Sequence, residues 1–204
     1  MARIDHLVVR AEILEQGVAH VEAALAVKMA PGGVHAGYGT HNKLLSLGDD
    51  TYLEVIAPNP AEPESKNARM FDMDKFSGPP QLSAWVISAK SASDAMALAP
   101  EGMGELLALS RGDFRWLFSF PPGGRLPFAG AFPALIEWRS PHPAALLPES
   151  HCRLQKLEIE HPQADELGGA VGRLLDEPRL SISVGEHFAM RAQIMTPAGL
   201  CVLR

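Results

Sequence analysis

Residues 4–9 read Ile-Asp-His-Leu-Val-Val, and this short apolar run predicts a β-strand at the start of the chain. Helical periodicity follows at once, with one apolar face formed by Leu14, Val18, Val21 and Leu25. The chain then breaks at Pro31-Gly32-Gly33. Three further strands are predicted at 34–38, 43–47 and 52–57. The first unit therefore has the order β-α-β-β-β.

The same order of elements recurs twice further along the chain. A connection at 61–80, rich in Pro, Asp, Glu, Ser and Lys, separates the first unit at 1–60 from a second unit at 81–147. A third, shorter unit follows at 148–204. We therefore predict one α+β domain of repeated βαβββ modules, in which two modules pair their twisted mixed sheets to form a cup.

The composition and charge of the chain exclude several classes of protein. The 204 residues are 47% hydrophobic and 21% charged, which is typical of a globular protein and excludes wholesale disorder. The formal net charge is −6, so we expect no binding to nucleic acid and none to an acidic membrane. No apolar segment is long enough to span a membrane, and we expect a cytoplasmic protein.

Three polar side chains occupy strand positions where burial is expected. His6 shares a face with Ile4 and Val8, and Glu54 and Glu137 are each the only acidic group in an apolar strand. A buried carboxylate is costly unless it is protonated, paired with a cation or bound to a metal. Two carboxylates and one imidazole would suit a divalent ion such as Zn, Ni, Mn, Fe or Co. The alternative is that each Glu faces solvent or pairs with an arginine such as Arg139.

Other side chains are candidates for catalysis or for binding a ligand. His35 and His41 flank a glycine-rich stretch, and His41 is followed by Asn42. These histidines would complete a metal shell, act as acid or base, or bind a substrate oxygen; alternatively, His41 orders a hairpin. His142, between two prolines, would close the mouth of the cup or stand exposed on a rigid turn. An apolar lining, or simply core packing, is expected of Trp116 and Trp138.

Several segments of the chain carry a resemblance to one family: residues 4–9, 31–42, 49–57, 134–138, 141–144 and 157–162. They resemble the glyoxalase-like domain proteins of the vicinal oxygen chelate superfamily, which includes glyoxalase I and the bleomycin-resistance proteins. The resemblance covers nearly the whole chain. It implies paired βαβββ modules with metal ligands at four strand positions. His6, Glu54 and Glu137 match three of them, but the fourth falls on Ala84, so a full four-ligand site is absent.

Two functions follow from this resemblance and these residues. The first is a lyase or isomerase, dependent on a divalent metal, that acts on a carbonyl or enediolate substrate. Glu54, Glu137 and His41 would be its catalytic groups, and His6, Glu54 and Glu137 its metal ligands. The second is a non-catalytic protein that binds a small ligand through a site made of His35, Asn42, Trp116, Trp138 and His142. No nucleotide cofactor is expected, and a homodimer is one possible assembly.

Overall fold

The first unit builds one half of a cup. The computed structural model describes residues 2–65 and 67–204. The elements of the first unit are β1 (Arg3–Arg10), α1 (Leu14–Leu25), β2 (Ala30–His35), β3 (Thr40–Ser46) and β4 (Tyr52–Pro58). Strand β2 begins earlier than the sequence predicts, because a bulge between Pro31 and Val34 keeps the expected break within the strand.

The second unit builds the other half with the same order of elements. They are β5 (Gln81–Ser88), α2 (Ala92–Leu98), β6 (Glu105–Arg111), β7 (Phe114–Phe120) and β8 (Ala134–Trp138). Between the two units, a segment of 3₁₀ turns at Met70–Lys75 returns over the cup. The predicted order of strands and helices in these units is therefore present.

The eight strands of the two units form a single mixed sheet in the order β2-β3-β4-β1-β5-β8-β7-β6. Within each unit the first strand pairs with the last in parallel, and β1 joins β5 in antiparallel fashion. The edge strands β2 and β6 lie close to each other, so the sheet curls around a central space. This α+β half-barrel is the predicted cup, and units one and two enclose it.

A third unit packs on the outside of this sheet. Its elements are β9 (Arg153–His161), α3 (Ala164–Gly172), β10 (Leu180–Val184), β11 (Ala189–Thr196) and β12 (Gly199–Leu203). The strand order is β10-β9-β11-β12, so its first strand pairs with the second and third rather than with the last. The unit thus repeats the order of elements but not the strand topology of the first two.

Helix α1 lies between the two sheets, in contact with β4 and with β12. Gly17 permits this approach, because a Cβ at that position would lie 2.5 Å from Cγ1 of Val55. The side chains around it are fully buried, among them Leu25, Val55 and Leu157. Each such side chain contributes roughly 1.5–3 kcal/mol to folding through burial alone. Among the described residues, no helix combines the length and apolar character needed to cross a membrane.

Candidate functional site

A small cavity lies within the cup, between the two halves of the sheet. Its volume is about 30 Å³, enough for about two water molecules. The lining combines polar groups on one side with an apolar wall on the other: His6, His35, Asn42, Tyr52, Glu54, Met70, Phe71, Arg111, Trp116, Phe118, Ile136 and Trp138. All of these residues belong to the first two units and the connection between them.

His6 and Glu54 meet in this cavity because they lie on the neighbouring parallel strands β1 and β4. Both are buried, and Nε2 of His6 lies 3.6 Å from Oε2 of Glu54. The His6 ring stacks on Tyr52, with ring centroids 4.5 Å apart. Burial raises the pKa of Tyr52 well above its usual value, so its phenol stays protonated. His6 and Glu54 therefore face the same point of the cavity, although their separation is longer than a hydrogen bond.

Asp5 lies behind His6 and fixes its orientation. Its Oδ1 lies 2.7 Å from Nδ1 of His6, and its Oδ2 accepts from Nε1 of Trp138 at 2.9 Å and contacts Nε2 of His142 at 3.0 Å. Burial alone would raise the pKa of Asp5, but hydrogen bonds from His142 and His6 outweigh it and hold that pKa well below its usual value. An ionised carboxylate only accepts, so Nδ1 of His6 carries a proton and Nε2 faces Glu54.

Asn42 links Glu54 to the opposite side of the cavity. Its Nδ2 donates to Oε1 of Glu54 at 2.5 Å, and its Oδ1 accepts from the backbone N–H of Gly33 at 2.7 Å. The same Oδ1 accepts from Nη1 of Arg111 at 3.2 Å. Because Asn42 occupies Oε1, the other oxygen of Glu54 is the one directed at His6. Asn42 is therefore a positioning residue for both charged groups.

His35 lines the cavity as a neutral group. Burial lowers its pKa to about 4, although Glu54 acts in the opposite direction. Its Nδ1 is 3.0 Å from the hydroxyl of Thr40, and its Nε2 faces Nδ2 of Asn42 at 3.5 Å. The amide nitrogen can only donate, so Nε2 is the unprotonated nitrogen. His35 therefore supports Asn42 instead of carrying charge into the cavity.

Arg111 supplies a positive charge to the cup from the far edge of the sheet. It is the last residue of β6 and crosses to β2, where a Cβ at Gly33 would lie 2.6 Å from its Cδ. A glycine at that position therefore keeps the path of the side chain open. The guanidinium also lies 5.8 Å from the ring centroid of Phe114. Arg111 faces the same cavity as His6 and Glu54 and can bind an oxyanion there.

Glu137 does not join His6 and Glu54. Its Oε2 accepts from the backbone N–H of Ala92, at the start of α2, at 2.9 Å, and its Oε1 pairs with Nη2 of Arg139 at 2.9 Å. The neighbouring residues Ile136 and Trp138 line the cavity instead. Alternation along β8 therefore points Glu137 to the helix-covered face, where a carboxylate stabilises the first turn of a helix.

His41 also lies outside the cup. The hairpin pairs His35 with Thr40 and Val34 with His41, so His35 and Asn42 share one face and His41 the other. The two histidines therefore lie on opposite faces, because the turn between them reverses the chain. Trp116 and Trp138 line the cavity, whereas His142 lies behind it on Asp5.

The side chains of the cup do not fit a divalent metal. Catalytic zinc sites use three protein ligands, and His6 and Glu54 bring two donors to within 3.6 Å of each other. Within residues 2–65 and 67–204, no group of three or more His, Cys, Asp or Glu side chains is placed to hold a metal ion. Ala84, at the expected fourth position, lines a different cavity, and Arg111 adds a competing positive charge.

Three polar residues of the site, Asp5, Tyr52 and Arg111, are not among the candidates that the sequence indicates. Asp5 and Tyr52 each stand close to a candidate, Asp5 next to His6 and Tyr52 two positions before Glu54. Adjacency in the strand is therefore a usable signal for these two. Arg111 has no local signal, because only the closure of the sheet brings it to Asn42.

Comparison with known proteins identifies the family. Residues 4–175 match the model of the glyoxalase-like domain, and no curated protein matches the chain. A hypothetical protein from Staphylococcus aureus is similar in structure, with a TM-score of 0.65 and 13% identity over 93% of this chain and 88% of that one. Streptomyces coelicolor methylmalonyl-CoA epimerase in complex with 2-nitronate-propionyl-CoA is also similar, with a TM-score of 0.48 and 17% sequence identity. The match covers 69% of this chain and 96% of that one. The chain belongs to the glyoxalase-like domain family.

Proposed function

We propose that this protein is an isomerase or lyase that moves a proton at a carbon next to a carbonyl group. One observation carries the proposal: Nε2 of His6 lies 3.6 Å from Oε2 of Glu54 in a buried cavity that Arg111 also faces. A general base must lie near the proton it removes, and it works best where water is largely excluded. His6 and Glu54 are buried, which meets the second condition, and both line the cavity in which a substrate would bind.

In this proposal the reaction is a proton transfer without an oxidant or reductant. Oε2 of Glu54 removes the proton from the carbon, and the electron pair of the broken C–H bond moves to the carbonyl oxygen. Arg111 binds the oxyanion that develops there. The proton on Glu54 then passes to Nε2 of His6, whose Nδ1–H is held by Asp5, and from Nε2 to the carbon or to a leaving group. Isomerisation and elimination share the first step, so the same side chains support either outcome.

The substrate in this proposal is a small carbonyl compound with an anionic group. The only cationic side chain lining the cup among the described residues is Arg111, and the polar side otherwise consists of hydrogen-bonded groups. A volume of about 30 Å³ is smaller than such a substrate, so a lining side chain must move on binding. Phe71 is the candidate for this movement. Its φ of 57° is a backbone conformation that non-glycine residues adopt at a cost.

Hydrogen exchange with solvent tests the proposed chemistry whatever the product of the reaction is. The protein is incubated in D₂O with a panel of 2-oxo acids and other carbonyl compounds, and deuterium incorporation is followed by NMR. We expect one class of carbonyl compound to exchange faster with the wild-type protein, and we expect Arg111→Ala to reduce that rate at least tenfold. Exchange that never exceeds the rate without protein would overturn the proposal.

The alternative function is a non-catalytic protein that binds a small ligand. The apolar wall of Met70, Phe71, Trp116, Phe118 and Trp138 favours it, because aromatic surfaces of this kind bind apolar ligands. Fluorescence of the two tryptophans reports such binding directly. A ligand that binds tightly to the wild-type protein and equally to Glu54→Gln, without any hydrogen exchange, would support this alternative over the enzyme.

A further inference from the structure

A second and larger cavity lies on the other side of Phe71. Its volume is about 280 Å³, and Phe71 is a wall of both cavities. The second cavity is rich in charge, with Arg10, Lys75 and Arg125 set against Asp72 as the charged side chains that line it among the described residues. Three cations therefore face one carboxylate in a chain whose formal net charge is −6. Such a local excess of positive charge attracts anions.

Arg10 is a fixed cation in the wall of this cavity. Its Nε donates to the hydroxyl of Ser83 at 2.7 Å, and its Nη1 donates to the backbone carbonyl of Phe71 at 2.8 Å. The guanidinium also lies 4.7 Å from the ring centroid of Phe76. Burial lowers the pKa of Arg10 from its usual value, while Asp72 raises it. The side chain is thus held in place with its charge only partly compensated.

Asp72 does not neutralise the three cations through close contacts. Its Oδ1 lies 3.8 Å from Nζ of Lys75, and its Oδ2 lies 3.8 Å from Nε of Arg125. Both distances exceed the length of a hydrogen bond. Lys75 and Arg125 are largely exposed at the cavity mouth, whereas the Asp72 side chain is only 17% exposed. The cations therefore remain able to contact an incoming anion.

One oxygen of Asp72 is buried without a hydrogen-bond donor among the described residues. This atom is Oδ1, and Asp72 and Phe71 both have left-handed backbone dihedrals, with φ of 55° and 57°. A buried acceptor that lacks a donor is unfavourable, and the backbone conformation adds its own cost. Because Oδ1 is closed off from the cavity, the Asp72 carboxylate must turn for the O–H group of a ligand to satisfy it.

We propose that the second cavity binds a small molecule in which an oxyanionic group, a carboxylate or a phosphate, adjoins a hydroxyl group. Arg10, Lys75 and Arg125 bind the oxyanion, and the carboxylate of Asp72, turned toward the cavity, accepts a hydrogen bond from the hydroxyl group. This site uses none of the groups proposed for the proton transfer, although Phe71 is a wall of both cavities. Phe71 separates the two cavities, so occupation of the second cavity does not need an open cup.

Paired probes separate the anion from the hydroxyl group. Isothermal titration calorimetry at pH 7 compares inorganic phosphate, which retains an O–H, with sulfate, which has none, and glycolate with acetate. We expect phosphate or glycolate to bind at least fivefold more tightly than its partner. A comparison of phosphate with glycolate then identifies the oxyanion: tighter binding of phosphate indicates a phosphate group, and tighter binding of glycolate indicates a carboxylate.

Two variants assign the binding to named side chains. Arg125→Ala should weaken binding about tenfold, because it removes a charged hydrogen-bond donor to the oxyanion. Arg3→Ala is the matched control, because Arg3 is similarly exposed and also pairs with an aspartate, Asp50. Asp72→Asn should abolish the preference for phosphate over sulfate, because the amide can donate to sulfate.

The proposal is overturned if neither phosphate nor glycolate binds, or if Arg125→Ala binds as tightly as Arg3→Ala. It is also overturned if Asp72→Asn keeps the wild-type preference for the hydroxyl-bearing probe. Glu54→Gln is included in the titrations and should bind both probes normally. This result keeps a failure of the second site distinct from a failure of the proton-transfer proposal.

Discussion

The carboxylate of Asp5 and the imidazole of His6, adjacent in sequence, are joined by a hydrogen bond of 2.7 Å between Oδ1 and Nδ1. A bulge in the pairing of β1 with β5, between Ile4 and His6, accompanies this arrangement. Asp5 is fully buried and also binds Trp138 and His142. It therefore connects His6 of the cup to Trp138 on β8 and to His142 in the loop that follows β8.

Asp5→Asn should lower the free energy of unfolding at pH 7 by about 1–3 kcal/mol, because an amide cannot accept from all three partners of the carboxylate. The folded-state pKa of Asp5 lies below its usual value. The stability from its ionised form is thus present above about pH 4 and is lost as pH falls further. The deficit of the variant should shrink below pH 4. Urea unfolding from pH 7 to 3 measures it, with the exposed Asp113→Asn as control.

A deficit that stays constant down to pH 3 would contradict the assignment of Asp5 as an ionised carboxylate. So would equal unfolding curves for Asp5→Asn and Asp113→Asn at pH 7.

Asn42→Ala should destabilise the protein although it removes only one side chain. Glu54 and Arg111 would each lose a buried hydrogen bond, and about 1–3 kcal/mol is expected for the groups left unsatisfied. Gln155→Ala on the exposed side of β9 is the control and should cost less than about 0.5 kcal/mol. Equal midpoints of urea unfolding for the two variants would show that Asn42 does not hold these charges in place.

His35 should make the protein less stable in mild acid. Its folded-state pKa is about 4, below the usual 6.5. Between pH 6.5 and pH 4, His35 is therefore protonated in the unfolded chain but not in the folded protein. Stability should therefore fall by up to about 3 kcal/mol as pH drops from 6.5 to 4. His35→Gln should flatten this decline, whereas His187→Gln, at an exposed position, should leave it unchanged. A wild-type decline in His35→Gln would refute the neutral buried imidazole.

Divalent ions should not stabilise the protein. Two donors, His6 and Glu54, fall short of a catalytic metal site, and Arg111 opposes a cation in the cup. Thermal unfolding of chelator-treated protein should not shift on addition of Zn, Ni, Mn, Fe or Co at tenfold excess. A rise in the melting temperature that His6→Ala removes would show instead that the cup does hold a metal ion.

The sequence predicts the elements well because their signals are local. Alternation identifies strands such as β9, and the apolar spacing from Leu14 to Leu25 identifies α1. Strand topology is different, because it depends on long-range pairing. The third unit shows this clearly: its order of elements matches the others, but β9 pairs with β10 and β11.

Glu54 and Glu137 show what a lone charge in an apolar strand can and cannot indicate. Both are buried, as the pattern predicts. Strands β4 and β8 are covered on both faces, so burial alone does not say whether a side chain faces the cup or a helix. Glu54 lies opposite Val8, which shares a face with His6, so Glu54 faces the cup. Glu137 is offset by one residue and therefore faces the N-terminus of α2.

The rate of deuterium incorporation into a carbonyl substrate, compared between Glu54→Gln and Glu137→Gln, tests the central claim most directly. Both variants remove one buried carboxylate from an equivalent strand, and only Glu54 faces His6. We predict a loss of at least 100-fold for Glu54→Gln, in the range expected for removal of a general base, and less than about threefold for Glu137→Gln. Equal rates for the two variants, or a greater loss for Glu137→Gln, would contradict the proposed His6–Glu54 acid–base pair.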